Sequence, residues 1–226
     1  MRINKFIAQA TGLSRRAADQ AIIEGKVALN QQPARPGDAV QTSDVVTLDG
    51  RPLQLAPKTT TILLNKPIGY VCSRAGQGSR TIYDLLPPEL HPLKPVGRLD
   101  KDSSGLLLLT NDGQLANELT HPSYAKQKVY EITLDKPLTA SDKVKVERGV
   151  QIDDYTSRLQ LSALKSAQPI IEKRSWRVTM TQGRNRQIRH TFAALDYEVK
   201  TLHRTNFGTF ALNQLASGSW QALTNA

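Results

Sequence analysis

Four consecutive leucines, Leu106 to Leu109, set the tightest limit on what this chain can become. The run is far too short to span a bilayer, which takes about 20 apolar residues. Gly105 precedes it and Asn111-Asp112-Gly113 follows it, so it reads as a very apolar strand. Beside it lies the polar segment Pro95–Gly105, in which Arg98, Asp100, Lys101, Asp102, Ser103 and Ser104 fall within seven positions. Charges packed so closely against an apolar strand are costly unless they pair or act chemically. On charge pattern alone, an ion-paired loop at a strand end accounts for them without any reaction.

The chain of 226 residues suits two domains of moderate size, or one large one. Thirty Lys and Arg against 20 Asp and Glu give a formal charge of +10. That excess favours a polyanionic partner, because each phosphate neutralised releases condensed counterions. A basic protein kept soluble by its charge explains the composition equally well. Cys72 is the only cysteine, so no intrachain disulfide forms; a Cys-ligated zinc site lacks thiolates, and the four histidines are scattered. No metal is expected. The opening MRINKFIAQATGLSRR has no apolar signal core, and a soluble cytoplasmic protein with no membrane partner is the expectation.

The first fifty residues read as a compact module. Ile3, Phe6, Ile7 and Ala10 recur at helical spacing, stopped by Gly12. Ser14 caps a second helix that turns Ala17, Ala18, Ala21 and Ile22 inward and ends at Gly25. Short strands are expected at Val27–Leu29, Ala39–Val40 and Val45–Leu48, separated by turn-rich NQQPARPGD. This order, carried by RINKFIAQATGLSRRAA, EGKVALN, PGD and DVVTLDG, resembles the S4 RNA-binding domain. The resemblance implies that Arg15, Arg16 and Lys26 meet RNA phosphates. Arg15 and Arg16 sit in a helix's first turn, where the dipole disfavours cations; two solvated surface arginines are the plain alternative. S4 domains commonly have Asn-Gly after the first strand. Asn30–Gln31 stands there in this chain, which leaves the turn open to another geometry.

Gln54 to Thr60 (QLAPKTT) reads as a linker, placing an S4-like domain at 1–56 and a second domain at 57–226. Beyond it come strand-like runs at Thr61–Leu64, Gly69–Ser73, Leu106–Thr110, Val129–Leu134, Leu159–Leu164 and Trp176–Met180. Helical patterns interrupt at Gln114–Leu119, Ser141–Glu147 and Asn185–Leu195. The mixture predicts an α+β domain on a mainly antiparallel sheet.

GRLDKDSSGLLLLTNDG, residues 97–113, resembles the signature loop of the pseudouridine synthases, in the RsuA-like branch that modifies ribosomal RNA. Its companions follow in order: Asn65-Lys66-Pro67 with Gly69-Tyr70, Lys128-Val129-Tyr130, GRNRQIR at 183–189, then Leu202, Arg204 and Gly208. The resemblance implies that Asp100 is the catalytic carboxylate and that Arg98 helps take the place of the displaced base. It implies that Tyr130 packs on the target uracil, that Ile188 lies under the ring, and that Arg189 pairs with Asp100. Lys66, Lys128, Arg184, Asn185, Arg186 and Arg204 are expected to contact RNA. One departure is visible: His190-Thr191-Phe192 follows Arg189 where relatives often have a second arginine.

The implied reaction breaks the uridine N1–C1′ bond, rotates the uracil and rejoins it through C5. The nucleotide must first be extruded, and an extruded pyrimidine needs a flat partner and an apolar floor. The carboxylate must be ionised to act as nucleophile or base. Three first steps are compatible with it: addition at C1′, removal of the C2′ proton to give a glycal, or addition at C6. The isomerisation is redox-neutral, so no cofactor is expected, and Gly76-Gln77-Gly78 is a lone GxG without a dinucleotide-site context. From Lys173 to Arg204 eight Lys and Arg face two acids, which suggests a groove tracking an RNA backbone. The partner implied is ribosomal RNA or a pre-ribosomal particle, with the large subunit slightly favoured by HPSYAKQKVY at 121–130, and the protein is expected to be a monomer. The rival readings are a non-catalytic S4-type ribosome or assembly factor, and the same chemistry on transfer RNA.

Overall fold

A computed structural model describes residues 1–55, 59–164 and 173–223. The chain divides into two compact units, Met1–Thr60 and Thr61–Ala226. Residues 56–58, in the middle of the expected linker, lie outside the described residues.

In the first unit, helix α1 (Ile3–Thr11) buries Ile3, Phe6 and Ile7, and Gly12 ends it in the left-handed region at φ 77°. Helix α2 (Arg15–Ile23) is capped by Ser14, whose side chain accepts from the Ala17 amide. It buries Ala18, Ala21 and Ile22; Ala17, expected inward, is exposed. Strands β1 (Val27–Leu29), β2 (Gln32–Pro33), β3 (Val46–Leu48) and β4 (Arg51–Pro52) form a sheet in the order β2-β1-β3-β4. Val27 and Val46 join the helices' apolar faces in one core. Ala39 makes only an isolated bridge to Arg2, so the strand expected at Ala39–Val40 is absent. Between β1 and β2, Asn30 (φ 50°) and Gln31 (φ 69°) form a two-residue loop closed by the Leu29–Gln32 pair. Two positive φ values are what such hairpin loops require; Gln31 takes the glycine's place in the left-handed region.

The second unit is α+β, built on a mainly antiparallel sheet. Its strands are β5 (Thr61–Lys66), β6 (Lys94–Pro95), β7 (Ser104–Thr110), β8 (Lys128–Leu134), β9 (Val150–Ile152), β10 (Tyr155–Ser157), β11 (Gln160–Ala163), β12 (Ser175–Met180), β13 (Val199–Phe207), β14 (Phe210–Ala211) and β15 (Trp220–Leu223). The main sheet runs β11-β12-β8-β13-β7-β5-β15, with β14 and β6 at its side. The pairing of β13 with β7 is parallel and spans two residue pairs, His203–Ser104 and Arg204–Gly105. Among the described residues of this unit the α-helices are α3 (Gly113–Thr120), α4 (Ala140–Arg148) and α5 (Gln187–Ala193). Gly69–Ser73, read as a strand, forms only a single bridge from Val71 to Thr81.

The leucine run is explained by burial on both faces. Leu107 and Leu109 join Ile62, Leu64, Ile188 and Phe192 in one core. Leu106 and Leu108 join Leu63, Leu119, Phe207 and Leu212 in another. Each fully buried leucine contributes roughly 1.5–3 kcal/mol. Strand β7 is thereby fixed, and so is the start of the loop that enters it.

Candidate active site

The loop between β6 and β7 is held from below by Lys66. Its side chain is 0% exposed, and the ammonium donates to the carbonyls of Pro67 (3.1 Å), Asp100 (3.0 Å) and Ser103 (2.7 Å). Burial pushes the Lys66 pKa down, while Cys72, Asp100 and Asp102 oppose that. The expected RNA contact by Lys66 is therefore corrected: no phosphate can reach a side chain so enclosed, and it shapes the Asp100 loop instead. Where the loop enters β7, Gly105 (φ 105°) lies against the backbone of Arg204, which an added Cβ would strike.

Asp100 and Asp102 project toward the start of α5. Arg186 holds Asp102 by two bonds, at 3.1 and 3.0 Å, and reaches Asp100 at 3.5 Å. Its backbone is left-handed (φ 47°) at the N-cap of α5. Arg189 Nε lies 3.2 Å from Asp102 Oδ2. The other two Arg189 nitrogens donate to the carbonyls of Asp102 (2.8 Å) and Val199 (2.6 Å). The expected Arg189–Asp100 pair is thus corrected: Arg189 braces Asp102 and the start of β13, and the guanidinium beside Asp100 belongs to Arg186. Sequence reading named Arg186 only as an RNA contact and gave Asp102 no role. The Arg186 bonds, with the Arg189 charge, hold the Asp102 carboxyl below the usual carboxylate range, against some opposition from burial. Asp100 is not enclosed; its side chain is 34% exposed.

Arg98, Asp100, Lys128, Tyr130, Ile188 and Arg204 line one pocket of about 720 Å³, together with Met180, Leu202 and Phe207. Tyr130 and Ile188 are buried, whereas Arg98 is exposed. Tyr130 on β8 is in register with Arg204 on β13, so the floor is sheet. Arg184, Asn185 and Arg186 form an exposed rim. Arg204 is 2% exposed, with Nε donating to the Leu106 carbonyl at 2.8 Å. It therefore lies in the pocket wall and not on an exposed surface. Several of the cations counted toward the expected groove are ion-paired in the fold. Arg177 pairs with Glu131, Lys200 with Glu198, Arg184 with Asp154, and Arg186 and Arg189 with Asp102.

In the first unit Arg15, Arg16 and Lys26 are all exposed, and Lys26 pairs with Glu24 at 2.7 Å. Exposed His190 lies in α5, whose buried side chains are Gln187, Ile188, Thr191 and Phe192. Among the described residues no helix is long and apolar enough to cross a membrane, and no group of three or more His, Cys, Asp or Glu could hold a metal ion.

A carboxylate at the mouth of a sheet-floored pocket, with a buried tyrosine and isoleucine in its lining, is an arrangement able to hold an extruded pyrimidine. Residues 60–194 match the RNA pseudouridylate synthase family and residues 1–46 match the S4 domain. The chain belongs to the RNA pseudouridine synthases that carry an N-terminal S4 domain. It is 36% identical to the dual-specificity RNA pseudouridine synthase RluF of Escherichia coli (strain K12), over 100% of this chain and 76% of that protein. It is 35% identical to ribosomal small subunit pseudouridine synthase A of Yersinia pestis, over 99% of this chain and 95% of that one. A crystal structure of a pseudouridylate synthase superposes with a TM-score of 0.70 at 30% identity, covering 99% of this chain and 96% of the other.

Proposed function

We propose that this pseudouridine synthase isomerises a specific uridine of ribosomal RNA in the cytoplasm, with Asp100 as its catalytic carboxylate. The observation that carries the reading is that Asp100, Tyr130 and Ile188 line the same pocket. Tyr130 gives the extruded uracil a flat partner, worth roughly 1–3 kcal/mol per stacked base, and Ile188 an apolar floor. Arg98, exposed at the wall, takes the place of the displaced base. Arg186, 3.5 Å from the Asp100 carboxylate, helps aim it at the sugar. The N1–C1′ bond breaks, the C5–C1′ bond forms, and the C5 proton leaves as N1 gains one, with no electrons to supply. Two relatives support the RNA class, since their names carry dual RNA specificity and the ribosomal small subunit. Of the ribosomal RNAs the large-subunit RNA is slightly favoured, on the wording of HPSYAKQKVY at residues 121–130.

Asp100→Asn tests the chemistry, because the amide keeps the shape but can neither attack nor accept a proton. Turnover, read as tritium released from 5-labelled uridine RNA, should fall by about 10⁴-fold while RNA affinity stays within a few-fold. Activity retained within about tenfold would refute the assignment. Mapping pseudouridines in both ribosomal RNAs, from cells with and without the gene, then tests the substrate. A lost site in the small-subunit RNA alone would overturn the subunit assignment.

A further inference from the structure

We infer that Lys128 and Arg204 form a built seat for one RNA phosphodiester inside the pocket, adjoining the extruded nucleotide. The inference rests on reading the pocket as an RNA site. Arg204 Cζ lies 4.9 Å and Lys128 Nζ 5.2 Å from the centre of the Phe207 ring. Arg204 Nη2 is buried and has no hydrogen-bond partner, and the residue lines the pocket. Lys128 Nζ donates to the Thr181 carbonyl at 3.3 Å. Among the described residues neither cation has an ion-pair partner, in contrast to Arg177, Arg184, Arg186 and Arg189.

A buried guanidinium beside a half-buried ammonium, with no counter-charge, is expensive to keep. Their effect on each other is visible: burial, and then the Arg204 charge, pushes the Lys128 ammonium below its usual pKa. A fold that carries this cost holds a place for an anion. A uracil carbonyl could satisfy Nη2 but would leave both charges uncompensated. A phosphodiester supplies the charge and several acceptor oxygens at once. The sheet register sets the seat beside the base floor, since Arg204 faces Tyr130 across β13 and β8, and Lys128 is two residues along the strand. A phosphate held there would fix the ribose relative to Asp100.

The test uses an unmodified ribosomal RNA transcript and the Asp100→Asn protein, which binds without turning over. Lys128→Met in that background should weaken binding by about ten- to a hundredfold, the worth of one charged hydrogen bond. The slope of log affinity against log salt should lessen by about 0.7–0.9. Arg204→Gln should weaken binding likewise. Lys136→Met, which removes an exposed cation resting on Tyr197, should leave both measures unchanged. Without RNA, Lys128→Met should melt no lower than its parent, because an uncompensated charge has been removed. Inorganic phosphate, exchanged for chloride at equal ionic strength, should raise the melting temperature of the parent and not of Lys128→Met. Unchanged affinity and slope would overturn the seat, as would equal phosphate shifts in the two proteins. If the Asp100→Asn protein does not bind the transcript at all, it is the RNA reading that fails, and phosphate-dependent melting still reports on the seat.

Discussion

Replacing Lys66 by Met tests whether the Asp100 loop is held from beneath. Methionine fills nearly the same space, so no large cavity is left; what disappears is an ammonium donating to three backbone carbonyls at 2.7–3.1 Å. Three charged hydrogen bonds amount to about 5–9 kcal/mol. Relief from burying the ion offsets several kcal/mol of that, leaving a net loss of about 2–4 kcal/mol. Urea unfolding at neutral pH reads that loss directly. The functional signature separates a loop clamp from an RNA contact. With the Asp100 and Ser103 carbonyls released, the carboxylate drifts, and kcat should fall by about a hundredfold while RNA affinity stays within a few-fold. Lys66→Arg should not restore activity, since a planar fork cannot serve three carbonyls converging on one tetrahedral nitrogen. A stability loss under about 1 kcal/mol with unchanged kcat would refute this reasoning. Weakened RNA binding at unchanged kcat would return Lys66 to the role its sequence context suggested.

Asp102→Asn should destabilise the protein through pH-dependent contacts with Arg186 and Arg189. The folded carboxyl titrates below its unfolded value of about 3.9, so its stabilisation is present above that value and disappears as pH falls through the folded one. Urea midpoints of variant and wild type should differ at pH 7 and converge in acid; a gap independent of pH would mean that charge pairing is not its source. In the first unit, Gln31→Gly should stabilise by about 0.5–1 kcal/mol, because a left-handed backbone penalises any side chain. Thermal melting of the full chain reads this, and a lower melting temperature would show that the Gln31 side chain contributes more than its strain costs.

Much of the site was legible because its chemistry is compressed in sequence: Asp100 sits in a charged loop abutting the leucine run, and that run could only be a buried strand. The helices of the first unit were legible through Ser14 and Gly12. Burial of polar residues was not. Lys66 read as a phosphate contact, since a cation in sequence carries no sign that carbonyls enclose it, and Arg204 carried no sign that it is buried in the pocket wall. Strand β13 escaped notice for a related reason: its VKTLHRTNF has polar residues on both faces, one of them lying in the pocket wall. Summed charge overstates the free positive charge, because addition along the chain ignores the acids that folding brings back. Asp102 was passed over because two carboxylates in one loop look alike until Arg186 and Arg189 choose between them.

The pairing of β5 with β15 sets when this enzyme can begin to exist. Strand β5, at the start of the catalytic unit, pairs with β15, the last among the described residues, and Asn65, the neighbour of Lys66, donates to the Leu215 carbonyl 150 residues further on. At ~5–20 residues per second, a ribosome takes roughly 8–30 s to cover that distance. Through that interval β5 has an unpaired edge, and the lysine beneath the Asp100 loop lies in an unfinished sheet. An enzyme of RNA is thus withheld from its substrate until nearly the whole catalytic unit has left the machine that made it.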